Sequence, residues 1–144
     1  MAIQIQEEIK VFAKIHKSIS MDGSMAYSPA ASLISLCFKA SMKAHFAHLQ
    51  THSYSEHKAL DTFYTNIITL TDDYAESYQG KYGIIDTYPH IRLQTHCGLH
   101  IVETVRDWIN ENRMSCGDTP ELQNSIDNII TLCNSTIYQI TNLK

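Results

Sequence analysis

Four side chains of the kind that bind metal ions recur between residues 57 and 76: His57, Asp61, Asp72 and Glu76. The steps between them are 4, 11 and 4 residues. At about 3.6 residues per turn, each step returns to within roughly 40° of the previous direction, so in a helix all four lie on one face. A carboxylate beside an apolar seam is costly unless it is paired or metal-bound. Mixed imidazole and carboxylate ligands favour iron, manganese or zinc over calcium.

The length of this series limits how it could bind a metal. A helix from His57 to Glu76 extends about 28 Å, so no single ion contacts both ends. The series therefore divides into an upper pair, His57 and Asp61, and a lower pair, Asp72 and Glu76. A second copy running antiparallel about a two-fold axis would place its lower pair against the first copy's upper pair. The spacing thus predicts two equal sites between subunits, with His45 or His48 of the preceding helix completing each one.

The series His45, His57, Asp61, Asp72 and Glu76 resembles the ferroxidase signature of the Dps-type miniferritins, over about 40 of the 144 residues. The resemblance implies a ferritin-like four-helix bundle that binds Fe(II) between two-fold-related subunits and oxidises it. The first ligand is either His45 or His48, because the segment from His48 to Thr51 is closer to the family's than the segment after His45. The same helix-pair pattern is similar to that of small phage-encoded proteins.

Three other interpretations of these residues stay open. The acidic series could be the solvated face of a surface helix, with no ligand at all. His45, His48 and His57 could instead form a zinc site, which would leave Asp72 and Glu76 unused. The chain could also be a metal-free structural or interaction protein, phage-encoded or not, because a fold does not by itself imply a function.

The elements that must position these residues are all helical. Apolar residues recur at helical spacing throughout, and no strand pattern lasts. The sequence predicts one domain over 1–144, with a short N-terminal helix in 1–22 and a bundle in 28–144. The fold class is an all-α, ferritin-like up-down four-helix bundle with a long crossover and that additional helix. The bundle helices are predicted over about 29–50, 54–80, 98–114 and 120–143, with the crossover over 81–97.

Capping residues mark the helix ends. Ser28 and Thr119 each precede a proline, which is typical of an N-cap followed by the first helical position. Ser53 and Glu56 have the spacing of a capping box, so Glu56 is interpreted as a cap and not as a ligand. Gly80 is the predicted C-terminal glycine of the second bundle helix.

Composition narrows the classes of partner. The net charge is −4 with histidines neutral, and no segment concentrates lysine or arginine, which disfavours nucleic-acid binding. The chain shows neither a signal-peptide pattern nor an apolar run long enough for a membrane helix. The four cysteines have no CxxC spacing, so we expect them to be free thiols. Free thiols are typical of the cytoplasm, which would be that of the host if the protein is phage-encoded. The predicted partner is a second copy, in a two-fold dimer or a larger shell.

Overall fold

The computed structural model describes residues 27–94 and 96–143. Within these ranges the chain forms four α-helices and one 3₁₀ turn, and no strand occurs among them, so the predicted all-α class is confirmed. The predicted N-terminal helix in 1–22 lies outside the described residues. The elements are α1 (Pro29–Gln50), α2 (Tyr54–Tyr82), α3 (Gly98–Asn112), the 3₁₀ turn (Arg113–Cys116) and α4 (Pro120–Asn142).

The first two helices begin as their capping residues predict. Ser28 Oγ accepts from Ala31 N at 3.1 Å, and Ser53 Oγ accepts from Glu56 N at 3.3 Å. The second cap differs from a simple capping box, because Thr51 lies between its two halves. Ser53 N donates to Thr51 Oγ1, which in turn donates to Glu56 Oε2 at 2.6 Å. Glu56 is therefore part of the cap, as predicted, but it reaches the backbone through Thr51.

The end of α2 corrects one prediction. The helix does not stop at Gly80 but continues to Tyr82, and Gly83 is the C-cap, with φ of 93°. Gly83 accepts this left-handed conformation because glycine has no Cβ to clash with the following carbonyl. Gly117, with φ of 107°, has the same role after the 3₁₀ turn.

The crossover sets the direction of the second helix pair. The described residues of the 83–97 segment contain no helix. The segment returns along the bundle, because α3 begins beside the start of α2, where Gly98 lies against Leu60 and Glu56. The far end of α3 lies beside the start of α1, since Cys116 Sγ contacts Pro29 O at 3.6 Å. The helices therefore run up, down, down and up, and not in the predicted up-down order, because the crossover returns the chain to the start of α2 before α3 begins.

Each helix packs on two antiparallel neighbours: α1 on α2 and α3, and α4 on the same two. The buried seam of α2 consists of Leu60, Phe63, Ile67 and Tyr74, with Leu70 half-buried beside it. On the facing side, α1 presents a row of buried alanines that permits close helix approach. These are Ala40, Ala44 and Ala47.

The four cysteines are free thiols, as predicted; Cys37, Cys116 and Cys133 are buried, and Cys97 is exposed. Burial raises the pKa of each of the three buried thiols to about 12, because the interior disfavours the thiolate. The three therefore behave as small apolar core residues.

Candidate functional site

The turn between α1 and α2 brings His48 and His57 face to face. Their rings stack with centroids 3.7 Å apart. His48 Nδ1 lies 2.9 Å from His57 O, and His57 Nδ1 lies 3.0 Å from His48 O. A carbonyl oxygen only accepts hydrogen bonds, so each Nδ1 carries a proton and donates it. In the neutral form of this tautomer, Nε2 keeps its lone pair, which is the arrangement that second-shell carbonyls impose on metal-binding histidines.

Tyr64 connects this histidine pair to His45 and Asp61. The Tyr64 ring stacks on that of His45 at 4.0 Å and meets the His48 ring edge-on at 5.3 Å. Its hydroxyl donates to Asp61 Oδ1 at 2.8 Å. Tyr64 is not among the predicted site residues, although its position three residues after Asp61 places the two on one helix face. We call His45, His48, His57, Asp61 and Tyr64 the upper cluster.

The carboxylate of the upper cluster is held in its charged form. The hydrogen bond from Tyr64 lowers the pKa of Asp61 most, and Lys58, His48 and His57 lower it further through their charges, against the opposing effect of desolvation. Lys58 Nζ lies 3.8 Å from Asp61 Oδ2. The same hydrogen bond raises the pKa of Tyr64, because ionising the phenol would place a second negative charge beside Asp61. Asp61 therefore offers an ionised oxygen at neutral pH.

Asp72 and Glu76 lie further along α2, on its exposed surface. Neither carboxylate has a side-chain hydrogen bond or an ion pair to any described residue. The six predicted ligands are thus divided into two groups. His45, His48, His57 and Asp61 meet at one end of the bundle, and Asp72 with Glu76 faces solvent.

A complete metal site is not assembled within the described part of one chain. Across residues 27–94 and 96–143, no group of three or more His, Cys, Asp or Glu side chains is arranged to hold an ion. The ring centroids of His45 and His48 are 5.9 Å apart with an angle of 65° between the ring planes, and the rings of His48 and His57 are stacked. Within the described part of one chain, the three histidines of the zinc interpretation are therefore not arranged to hold one ion. The upper cluster brings imidazole and carboxylate groups together without forming a complete ligand set among the described residues.

Comparison with known protein families identifies a family to which the chain belongs. The family of unknown function DUF5856 matches residues 48–140. The chain belongs to this family. The DUF5856 match begins at His48, so it includes His48, His57, Asp61, Asp72 and Glu76 but not His45. No curated protein and no solved structure matches the chain. Among the described helices of this DUF5856 member, none combines the length and the apolar character needed to cross a membrane.

Proposed function

We propose that this chain is a miniferritin-like protein that binds Fe(II) at a site completed between two copies and oxidises it there. The observation that carries the proposal is the half-site at the upper cluster. It combines an ionised carboxylate, Asp61, with two imidazoles, His48 and His57, whose Nδ1–H groups are fixed by backbone carbonyls. Oxygen and imidazole ligands of this kind suit iron.

The ferritin-like assignment of the bundle belongs to the same proposal. Ferritin-like folds differ from simple up-down bundles by one long crossover between two helix pairs. Residues 83–97 form such a connection, and α2 and α3 consequently run in the same direction. The helix order supports a ferritin-like arrangement.

Symmetry in the sequence of α2 supports a two-fold site. The point midway between Asn66 and Ile67 is equally distant from Asp61 and Asp72, and also from His57 and Glu76. An antiparallel copy of α2 centred there would bring its Asp72 and Glu76 to the upper cluster of the first copy. Near this centre Ile68 is 44% exposed, which gives the surface an apolar residue to bury against the second copy.

Each residue then has a defined part in binding. Asp61 supplies negative charge, Tyr64 fixes the orientation of that carboxylate, and the carbonyls of His48 and His57 orient each other's ring. The exposed Asp72 and Glu76 of the second copy would add the remaining oxygen ligands. Two Fe(II) ions, which are the substrate, would together give two electrons to dioxygen or to hydrogen peroxide. With two protons from solvent, the oxidant would become hydrogen peroxide or water, respectively, and each iron would leave as Fe(III).

A metal-free structural role is the second candidate. It is favoured by the reciprocal hydrogen bonds of His48 and His57, which already use both Nδ1–H groups to fasten the α1–α2 turn. In this alternative the histidines are structural, and the carboxylates of α2 are a solvated face.

A metal-binding experiment on tag-free protein distinguishes the iron-oxidising function from the metal-free structural role. We expect bound iron after anaerobic Fe(II) loading, measured by elemental analysis, and a dimeric or larger mass by light scattering. Asp61→Asn and Asp72→Asn should each abolish the bound iron while leaving the helical circular dichroism unchanged. Asp73→Asn is the matched control, because it removes the same charge one residue from Asp72. A folded protein that retains no iron, or equal loss in all three variants, would contradict the proposal.

A further inference from the structure

A groove lined by basic side chains lies on the side of the bundle where α1, α3 and the end of the crossover meet. It contains a cavity of about 240 Å³. Lys39 and Lys43 of α1 line one wall, and His96 and His100 line the other. An adjoining cavity of about 310 Å³ shares Lys43 and His96 and is otherwise mainly apolar. Its apolar lining comes from Phe46, Ala47 and Leu93.

The charge of this groove is opposite to that of the whole chain. The chain carries 15 acidic and 11 basic residues, yet no aspartate or glutamate is among the described residues that line either cavity. Lys39 and Lys43 are one helical turn apart on the same face, where like charges repel. An anion in the groove would offset this repulsion.

His96 makes two close contacts that compete for the same ring nitrogen. His96 Nδ1 lies 3.0 Å from Lys43 Nζ and 3.1 Å from Gln94 O. A protonated Nδ1 donates to Gln94 O but cannot accept from Lys43, and a deprotonated Nδ1 does the reverse, so one contact is always unsatisfied. An anion that accepted from Lys43 would let His96 donate to Gln94 O, and both groups would then be satisfied.

The first turn of α3 adds hydrogen-bond donors on the same side. The N-cap residue, Cys97, makes no side-chain hydrogen bond to this turn. The first backbone N–H groups of a helix lack partners within the helix and carry partial positive charge. His96 and His100 flank this turn, and Glu56 of α2 also lies against it at Gly98.

We propose that the groove binds a small phosphate monoester. The phosphate would lie between Lys39, Lys43, His96 and His100, and the organic part would occupy the apolar cavity beside Phe46 and Leu93. A phosphate offers several charged acceptors, which matches basic donors on two facing walls. The inference is independent of the iron proposal, since none of these residues belongs to the upper cluster.

The test is titration of the isotope-labelled full chain, followed by NMR and calorimetry, with two probes: phenyl phosphate and inorganic phosphate. We expect saturable shifts of the His96 and His100 signals with both, and affinity about tenfold or more higher for phenyl phosphate, because only the ester fills the apolar cavity. Lys43→Gln and Lys39→Gln should each weaken binding of phenyl phosphate by about tenfold or more, as expected for a lost charged hydrogen bond.

The matched control is Lys81→Gln, which removes a lysine charge in the last turn of α2, outside the groove. It should leave the affinity for phenyl phosphate unchanged. Two substitutions in the groove keep the test usable if one of them unfolds the chain. An absence of saturable shifts up to about 10 mM of either probe would overturn the proposal. Equal loss of affinity in Lys81→Gln would also overturn it, since binding would then depend on overall charge. Equal affinity for the two probes would overturn the assignment of an ester.

Discussion

The His48–His57 pair joins two helices through one residue from each. Each ring both packs on the other and donates to the other residue's carbonyl, so the pair holds the turn from α1 to α2 in a single arrangement. This arrangement needs no ligand, which means that the pair contributes to folding whether or not the upper cluster binds iron. Its structural effect is therefore measurable by itself.

Replacing His57 with glutamine should destabilise the fold even without metal. The substitution removes the stacked ring and leaves His48 O without its donor, for which we expect a loss of about 1–2 kcal/mol in the free energy of unfolding. Urea denaturation in the presence of a chelator measures this loss. His52→Gln is the control, because His52 is exposed in the same turn and has no side-chain contact of this kind to the described residues. Equal stability of the His57 variant and the control would show that the pair is not structural.

At the scale of the helices, the two glycines near the end of α2 have opposite requirements. Gly80 lies inside the helix and Gly83 ends it with a positive φ, and a Cβ added to either would meet no atom within 4 Å. Packing therefore does not distinguish the two positions. Backbone conformation does, because an L side chain is favoured in the helix and disfavoured at positive φ.

Alanine at the two positions should consequently change stability in opposite directions. Gly80→Ala should stabilise the chain by up to about 1 kcal/mol, as alanine has the higher helix propensity. Gly83→Ala should destabilise it by about 1–2 kcal/mol, because the Cβ of alanine is strained in the left-handed conformation. Thermal unfolding of the two variants beside the parent measures both effects. If Gly80→Ala were the destabilising one, the helix would end at Gly80 after all.

Local patterns predicted most of the helical structure. The Ser28 and Ser53 caps and the apolar seam of α2 were all readable, because caps and helical spacing depend on residues within a few positions of one another. Gly80 and Gly83 could not be told apart in this way, since both are exposed glycines near a helix end. Sequence spacing does not say which of them ends the helix.

Contacts between distant segments were beyond such patterns. Spacing placed His57 and Asp61 on one face, but the stacking of His48 on His57 depends on how two helices meet. The basic groove depends on Lys43 and His96, which are 53 residues apart. In the sequence alone, His96 and His100 are indistinguishable from ordinary surface histidines.

At the scale of the whole molecule, the three buried thiols make stability depend on alkaline pH. Their pKa is about 12 in the folded chain, compared with 9.0 for an unperturbed thiol. The stabilisation is complete below pH 9 and is lost between pH 9 and 12, because in that window the unfolded chain releases thiol protons and the folded chain retains them. Each thiol contributes about 1.4 kcal/mol per pH unit to this decline.

Cys133→Ala should therefore reduce the pH dependence of the free energy of unfolding above pH 9, whatever its effect on stability at neutral pH. Urea denaturation at several alkaline pH values gives the slope. Cys97→Ala is the control, since Cys97 is exposed and its replacement should leave the slope unchanged. An unchanged slope in Cys133→Ala would mean that this thiol does not resist ionisation in the core.

The crossover of residues 83–97 also has a consequence for the order in which the molecule folds. Each hairpin, α1 with α2 and α3 with α4, is joined by a short connection, so its contacts form between near neighbours in the chain. Contacts between hairpins require the crossover to close a longer loop, at a greater cost in chain entropy. Local contacts form faster than distant ones, so we expect the hairpins to assemble first and their docking to limit the folding rate.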